Sequence, residues 1–471
     1  MTIASRSAET SLDSSPDGNL FESLSSQLDG ELIAAASPRY DDARKVQDMT
    51  VDRRPMAIVR AATASDVAKA VGFARDNGLP LAVRSGGHSL AGHSMVEGAL
   101  VIDLSSMKGI SIDPETRIAR VQAGVTSGDL AGPANALGLA LSTGDTSSVG
   151  FGGLTTGGGI GFMARKYGLA IDNLLSAQVV TASGEILTAS PDEHPDLFWA
   201  IRGGGGNFGV VTEFTFRLAP VGQILGGDLF LPATRETVRG YLEYTASAPD
   251  DLTTIGNLMH APPAPFVPEE WVGKLVLAII VSWSGSIEDG ERAVAPLRAL
   301  GTPVADTLRP MPYPSIYLST EHQALRHGAS IRSMFADELS DAALDASIKA
   351  MEQATSPYSI VHFRGLGGEM ARAGKDETAF AHRHQRYMLS VIGVWLDPAE
   401  DASQHRSWTE DLWQKVRHEG TGAYVNFLEN EGEERLHDAY PEATLARLRS
   451  IKRAYDPQNL FRFNQNIRPL D

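Results

Sequence analysis

Between Ala64 and Asn77 apolar residues recur at helical spacing, with Val67, Val71 and Ala74 on one face. The pattern predicts a helix with Ser65 as N-cap and Gly78 as the residue that stops it. Short aliphatic runs at Leu79–Arg84, Leu100–Leu104 and Ile118–Gln122 predict strands around it. A second helix is expected near Ser127–Leu137, after Gly124. Gln178–Thr188 reads as a hairpin turning at Ser183-Gly184, and Phe208–Leu218 alternates as a strand. Near Pro220 glycine thins and the segments lengthen. Lys274–Trp283 and Tyr387–Leu396 predict long strands, while Pro262–Pro268 is a loop. Ser340 caps a helix whose Leu344, Ile348 and Met351 share a face, and Trp408, Leu412 and Val416 line another. Such alternation predicts one sheet covered by helices. Toward the end Tyr424-Val-Asn-Phe427 predicts a short strand, and Leu445, Leu448 and Ile451 a helix stopped at Asp456-Pro457. There is no internal repeat.

Composition narrows the partners more than the fold. A chain of 471 residues can form two domains or more. Its 41 basic against 58 acidic residues give a net charge of −17, which argues against nucleic acid and anionic membranes as partners. The chain has no cysteine, so disulfides, thiolate catalysis and iron–sulfur ligation are excluded. No apolar run approaches the ~18 residues of a membrane span. Met1–Leu20 lacks the hydrophobic core of a secretory signal and reads as a disordered leader, with the cytoplasm the expected location.

Candidate chemistry centres on Val83–Ser94, where a buried strand runs into Ser-Gly-Gly-His-Ser-Leu-Ala-Gly-His-Ser. Glycines let backbone approach a ligand closely, and successive free N–H groups form a nest for anionic oxygens. The loop therefore reads as a pyrophosphate cradle. Glycine clusters recur at 150–161 and 203–206, as expected if several loops wrap one long dinucleotide. Two other readings fail on context. Gly204–Gly209 matches G-x-G-x-x-G but leads into a strand rather than the helix a Rossmann site needs, and Gly159–Ala164 has no acidic residue about 20 positions on. Gly87-His-Ser89-Leu-Ala91 approaches a nucleophile elbow, yet no helix follows the serine. His88 and His93 have no carboxylate at ligand spacing, so no metal site is expected. On residue type alone His88 is a hydrogen-bonding loop histidine.

Motifs in order and spacing extend this. The chain carries Arg84-Ser-Gly-Gly-His-Ser with Gly92-His-Ser, Val101-Ile-Asp-Leu, Gly150-Phe-Gly-Gly-Leu, Gly157-Gly-Gly-Ile-Gly and Arg165-Lys-Tyr-Gly-Leu-Ala-Ile-Asp-Asn173. Leu197-Phe-Trp-Ala-Ile-Arg-Gly-Gly-Gly-Gly-Asn-Phe-Gly-Val-Val follows, then Tyr424-Val-Asn-Phe and Tyr455-Asp-Pro-Gln-Asn-Leu-Phe-Arg-Phe-Asn-Gln-Asn-Ile. From Pro55 onward the sequence resembles the bacterial branch of the berberine-bridge-enzyme-like FAD-linked oxidases, in the vanillyl-alcohol-oxidase/PCMH superfamily.

The resemblance implies an α+β fold. A PCMH-type FAD-binding domain of two α/β subdomains would span 40–219, after a partly disordered leader at 1–39. A substrate domain with an antiparallel sheet covered by helices would occupy 220–424, and 425–471 would return to the FAD domain. It also implies FAD bonded through its 8α-methyl carbon to His88. Further cofactor contacts would come from Arg84, Ser85, Gly86, Gly87, Ser89, Gly92, His93 and Ser94. Gly124, Asp145, Thr146, Val149, Gly150, Gly152, Gly153, Gly157, Gly158 and Gly161 would add to them, as would Gly209, Val210, Val211, Asn464, Gln465 and Asn466. Thr146 stands where many relatives carry a second, cysteinyl tether, so the His88 bond would be the only one.

Reaction by hydride transfer from a substrate C–H to flavin N5 is implied, with reoxidation by O2 giving H2O2. Valine at position 149 goes with oxidases in plant relatives; a dehydrogenase or oxygenase on the same scaffold, or a ligand-holding flavoprotein, is the alternative. Tyr424 is the expected base, with Asn426 orienting and His382 and Tyr387 as second choices. Phe427 replaces a tyrosine common in relatives. The expected partners are a small organic substrate (alcohol, sugar, amine or secondary metabolite) and O2, for a monomer or homodimer.

Overall fold

The first long helix starts from a different cap than its apolar periodicity predicts. In the computed structural model, which describes residues 16–470, the helix is Ala64–Asp76 and Thr63 is its N-cap. Thr63 Oγ1 accepts the Asp66 N–H at 3.2 Å and the Asp66 carboxylate accepts the Thr63 N–H at 3.2 Å, a reciprocal pair that leaves Ser65 inside the first turn. The same carboxylate accepts N–H groups of Asp29, Gly30 and Ala62. Burial raises the Asp66 pKa, but these backbone donors outweigh it and hold the group below its usual value.

Those contacts also order a segment expected to be leader. Residues 16–39 hold the helix Pro16–Ser25 and the strand Glu31–Ala34. Phe21 and Leu24 are buried, and the Phe21 ring lies 5.7 Å from that of Phe73. An apolar pair one helical turn apart is enough to dock the segment. Residues 1–15 lie outside the described part.

Two sheets share the first core. In the four-stranded sheet the order is Glu31–Ala34, Ala57–Arg60, Leu100–Asp103, Leu81–Arg84, the last three parallel. Parallel strands need crossovers, and the helix Ala64–Asp76 supplies one. The five-stranded sheet is antiparallel, with Val210–Arg217 at its centre between Ile118–Gln122 and Leu174–Val180. Its far edge is Ile186–Ala189, so the expected hairpin forms.

The second unit is one large antiparallel sheet. Along it run Gln223–Pro232, Leu275–Trp283, Leu252–His260, Ile360–Gly365, Tyr387–Trp395 and Gly328–Ala336. Helices Arg235–Ser247, Ile287–Arg298, Asp341–Glu352 and Ala402–Val416 cover one face, their Leu242, Leu297, Leu344 and Leu412 packing on sheet residues such as Leu277, Val361 and Val391. The expected helix-covered sheet is thus present, and its other face is turned to the first unit.

The chain then returns. Leu445, Leu448 and Ile451 of the helix Glu442–Tyr455 enter the first core. Lys452, fully buried, donates to Asn207 O (2.7 Å), Asp456 Oδ2 (2.7 Å) and Phe461 O (2.9 Å). Residues 424–427 are not the expected strand: Val425–Phe427 is a single 3₁₀ turn with Tyr424 before it. No helix among the described residues is long and apolar enough to cross a membrane.

Candidate active site

Where the strand Leu81–Arg84 ends, the two units enclose a cavity of about 470 Å³. Its floor is built by glycine loops in backbone contact. A Cβ on Gly86 would run into the Gly150 amide, and one on Gly150 into Gly86 and Ser85, so neither position admits a side chain. Ser85 Oγ donates to Ala123 O at 2.6 Å and accepts the Gly152 N–H at 3.2 Å, joining the two loops. Gly86→Ala is accordingly expected to cost about 1–3 kcal/mol by overpacking and to lower the calorimetric melting temperature. Gly153→Ala is expected to leave it unchanged, because a Cβ there meets nothing within 4 Å and points into free space.

Among the described residues, the N–H groups of Gly86, Gly87, His88 and Ser89 have no partner within the protein. Four consecutive free donors beside a cavity form a nest for anionic oxygens. Beneath it Arg84 donates to Ala43 O at 2.6 Å, and its Nε is buried without a partner. Arg53 holds the far side of the loop through Gly92 O (2.8 Å) and Met95 O (3.0 Å).

His88 lines the cavity, with its Nε2 3.0 Å from Ser148 Oγ. Burial pushes its pKa down to about 4, helped by the charges of His327 and Arg84, so the ring is neutral near pH 7. In the tautomer whose Nε2–H donates to Ser148 Oγ, Nδ1 carries the ring's free lone pair. His93 is likewise lowered to about 4 by burial and meets Asn430 Oδ1 at 3.2 Å.

Tyr424 is buried at the opposite wall. Its phenol oxygen accepts the Gly159 N–H (3.2 Å) and Asn426 Nδ2–H (3.0 Å), and Asn426 Nδ2 also reaches Leu154 O at 3.2 Å. With both acceptor directions filled, the O–H proton is left to point elsewhere. Burial raises the phenol pKa, while Asn426, the Gly159 and Ile160 amides and the charge of Arg364 pull it back. The net shift is upward, so the group is a neutral phenol at pH 7. Phe427 packs edge-on to its ring at 5.1 Å.

Several expected site residues meet in this cavity: Ser85, Gly86, Gly87, His88, Ser89, His93, Ser94, Asp145, Thr146, Val149, Gly150, Gly152, Gly153, Gly209, Val210, Val211, Tyr424, Asn426, Asn464 and Gln465. Others do not line it. Tyr387 donates to Leu242 O at 2.7 Å on the helix-covered face, since it shares strand parity with Leu389 and Val391. His382 stacks on Phe335 at 4.8 Å and its Nε2–H donates to Asp438 O at 2.7 Å, a packing role. Gly124 lacks a side chain because Leu104 O occupies that space. Gly157 makes room for the Asn426 side chain, Gly158 for Phe380 and Tyr424, Gly161 for Thr143 and Gly144, and Gly92 for Val51. Arg84 and Asn466 also stand behind the lining.

Sequence reasoning missed the wall from the large sheet. Ile360, His362 and Arg364 face the cavity from one strand, Ile392 and Val394 from the next, and Ile331 from the edge. The signal was alternation: His362 and Arg364 share the parity of Ile360, while Val361 and Phe363 face the helices. Arg364, 2% exposed, pairs with the Asp145 carboxylate and donates to Ile160 O at 3.0 Å. Asn207 was missed too. Its Nδ2 donates to Gly204 O (2.9 Å) and Gln465 O (3.2 Å), and its Oδ1 accepts the Ile467 N–H at 2.9 Å. It ties the third glycine turn to the end of the chain.

A run of free amides opening onto a mostly aliphatic chamber suits a dinucleotide cofactor, and comparison with known proteins specifies which. Residues 55–190 match the family model of the FAD binding domain, and 423–468 that of berberine and berberine-like proteins. (R)-6-hydroxynicotine oxidase of Paenarthrobacter nicotinovorans is 34% identical over 462 residues, 94% of this chain and 97% of that one. An FAD-linked oxidoreductase of Dictyostelium discoideum is 30% identical over 452 residues, 94% and 95% of the two chains. The crystal structure of 6-hydroxy-D-nicotine oxidase from Arthrobacter nicotinovorans superimposes with a TM-score of 0.85 at 30% identity, covering 94% of this chain and 98% of that one.

The protein is an FAD-linked oxidoreductase. The chain belongs to the berberine-bridge-enzyme-like family, with the PCMH-type fold that its motifs implied. The residues present fit FAD. The unpartnered amides of 86–89 suit its pyrophosphate, and Asn464 lines the cavity with a buried, unpartnered Oδ1.

Proposed function

We propose that the protein is an oxidase of small organic molecules that holds FAD by one covalent bond, from His88 to the 8α-methyl carbon. In this reading 40–219 and 425–471 hold the cofactor and 220–424 the substrate. FAD bound there would supply the redox chemistry, accepting a hydride from a substrate C–H and passing the two electrons to O2 to give H2O2.

The observation that carries the reading is the state of His88. It is a neutral imidazole on the free N–H loop, with Nε2 beside Ser148 Oγ; the Nε2–H tautomer leaves the lone pair on Nδ1. A neutral ring nitrogen with its lone pair free is the nucleophile that such a bond requires. Thr146 donates to Gln323 Oε1 at 3.0 Å, and the chain has no cysteine for a second bond. Tyr424 is the group placed to exchange a proton with substrate, and Asn426 fixes its oxygen. Val149 lines the cavity, in keeping with access of O2 to the ring.

The test is acid precipitation of purified yellow protein, with intact mass and a substrate screen by H2O2 release. Colour that stays with the pellet, a mass raised by one FAD, and H2O2 formed with a substrate that bleaches the protein without air are expected. Flavin in the supernatant removes the role of His88. Bleaching that air does not reverse makes the enzyme a dehydrogenase.

A further inference from the structure

We infer that this site, on the reading of it just proposed, takes a neutral substrate with a flat apolar body that donates an O–H or N–H to His362 Nε2. His362 sits on the strand Ile360–Gly365 and is paired in register with Asn257 of the neighbouring strand. Its Nδ1–H donates to Asn257 Oδ1 at 3.1 Å. That bond fixes the tautomer and leaves the lone pair on Nε2. The ring lines the cavity at 7% exposure, and Nε2 is buried with no partner. A buried acceptor left empty is unfavourable, and a substrate donor removes that penalty.

The neighbours set the rest of the class. Burial, reinforced by the charge of Arg364, pushes the His362 pKa down to about 3, so it accepts a hydrogen bond without taking the proton. Arg364 gives Nη1 to Ile160 O and Nη2 to the Asp145 carboxylate, which balances its charge and leaves only the Nε–H without a partner among the described residues. No free charge faces the substrate from this corner. Beside it Ile331, Ile392 and Ile360 stand in register across three adjacent strands. Two strand spacings make the row roughly 10 Å wide, a flat apolar surface for one or two fused rings. His362 is therefore a positioning and selecting residue, separate from the proton exchange given to Tyr424.

The probe is a matched pair, 2-naphthol and 2-methoxynaphthalene, which share the ring system and differ in the donor. Thermal melts of the holoprotein against each compound give apparent affinities without turnover. Wild type is expected to bind 2-naphthol about tenfold more tightly, the size of one net hydrogen bond. His362→Leu is expected to bring the ratio close to one, and His362→Gln, which keeps an acceptor, to restore part of it. Equal binding of the two compounds by wild type, binding of neither, or a ratio unchanged in His362→Leu overturns the inference. A kept ratio in protein whose flavin is lost to acid overturns the His88 bond instead, so the two failures are distinct.

Discussion

Replacing His88 with alanine is expected to give protein whose flavin leaves with the acid supernatant and whose mass is that of the bare chain. The rest of the cradle is backbone and survives the change, because the free amides of Gly86, Gly87 and Ser89 do not depend on the imidazole. FAD therefore still binds, but reversibly, and dialysis removes it. With no cysteine in the chain, no thiolate can take over the bond. The pH dependence has a definite sign. Bond formation needs the neutral ring, and burial sets the His88 pKa at about 4. Attachment of added FAD to apoprotein should be level from neutral pH down to about 5 and fall only below that. An unperturbed imidazole would already lose half its rate near pH 6.5. Acid-stable flavin in His88→Ala would dismiss the assignment.

Tyr424→Phe should leave flavin content intact and slow its anaerobic reduction by substrate by about 10²–10⁴-fold, the span of a lost general base. As the proposed base Tyr424 would work as the phenolate, yet burial raises its pKa above the ordinary value. Across the neutral range the reactive fraction then grows about tenfold per pH unit. The reduction rate of wild type should rise steeply toward alkaline pH, and Tyr424→Phe should lose that slope. Stopped-flow traces at several pH values separate the cases. A slope that persists without the phenol would assign the proton to another group.

What the sequence made legible was whatever depends on local geometry. The glycine clusters at 86–92, 150–161 and 203–206 announced backbone contacts that only glycine permits, and Gly86 against Gly150 is the physical form of that signal. Helices such as Asp341–Glu352, capped by Ser340 as expected, follow from periodicity and caps alone. Facing was harder. Tyr387 looked like a polar group beside the flavin, but in a strand each side chain alternates, and its partners Leu389 and Val391 already belonged to the helix-covered face. Reading the parity of Ile360–Gly365 would have exchanged Tyr387 for His362. His382 was misassigned because a buried histidine and a catalytic one look alike until their partners are seen, here Asp438 O and the Phe335 ring. The short segment at 424–427 reads as a strand because tyrosine, valine and phenylalanine favour one. Its contacts with Gly159 and Leu154 impose a tight turn instead.

The fastening of the third glycine turn sets an order of events in the cell. That turn is held by Lys452, Gln465 and Ile467 through Asn207, contacts that join positions 245 to 260 residues apart. Domains fold from the N-terminal side during synthesis, and contacts of such long separation close last. While the ribosome is still making the large sheet, the loops at 86–92 and 150–161 exist but their third wall does not. FAD thus has a complete berth only after the helix Glu442–Tyr455 has emerged and docked. Cofactor capture is then expected to follow docking of the helix Glu442–Tyr455 rather than to aid early folding.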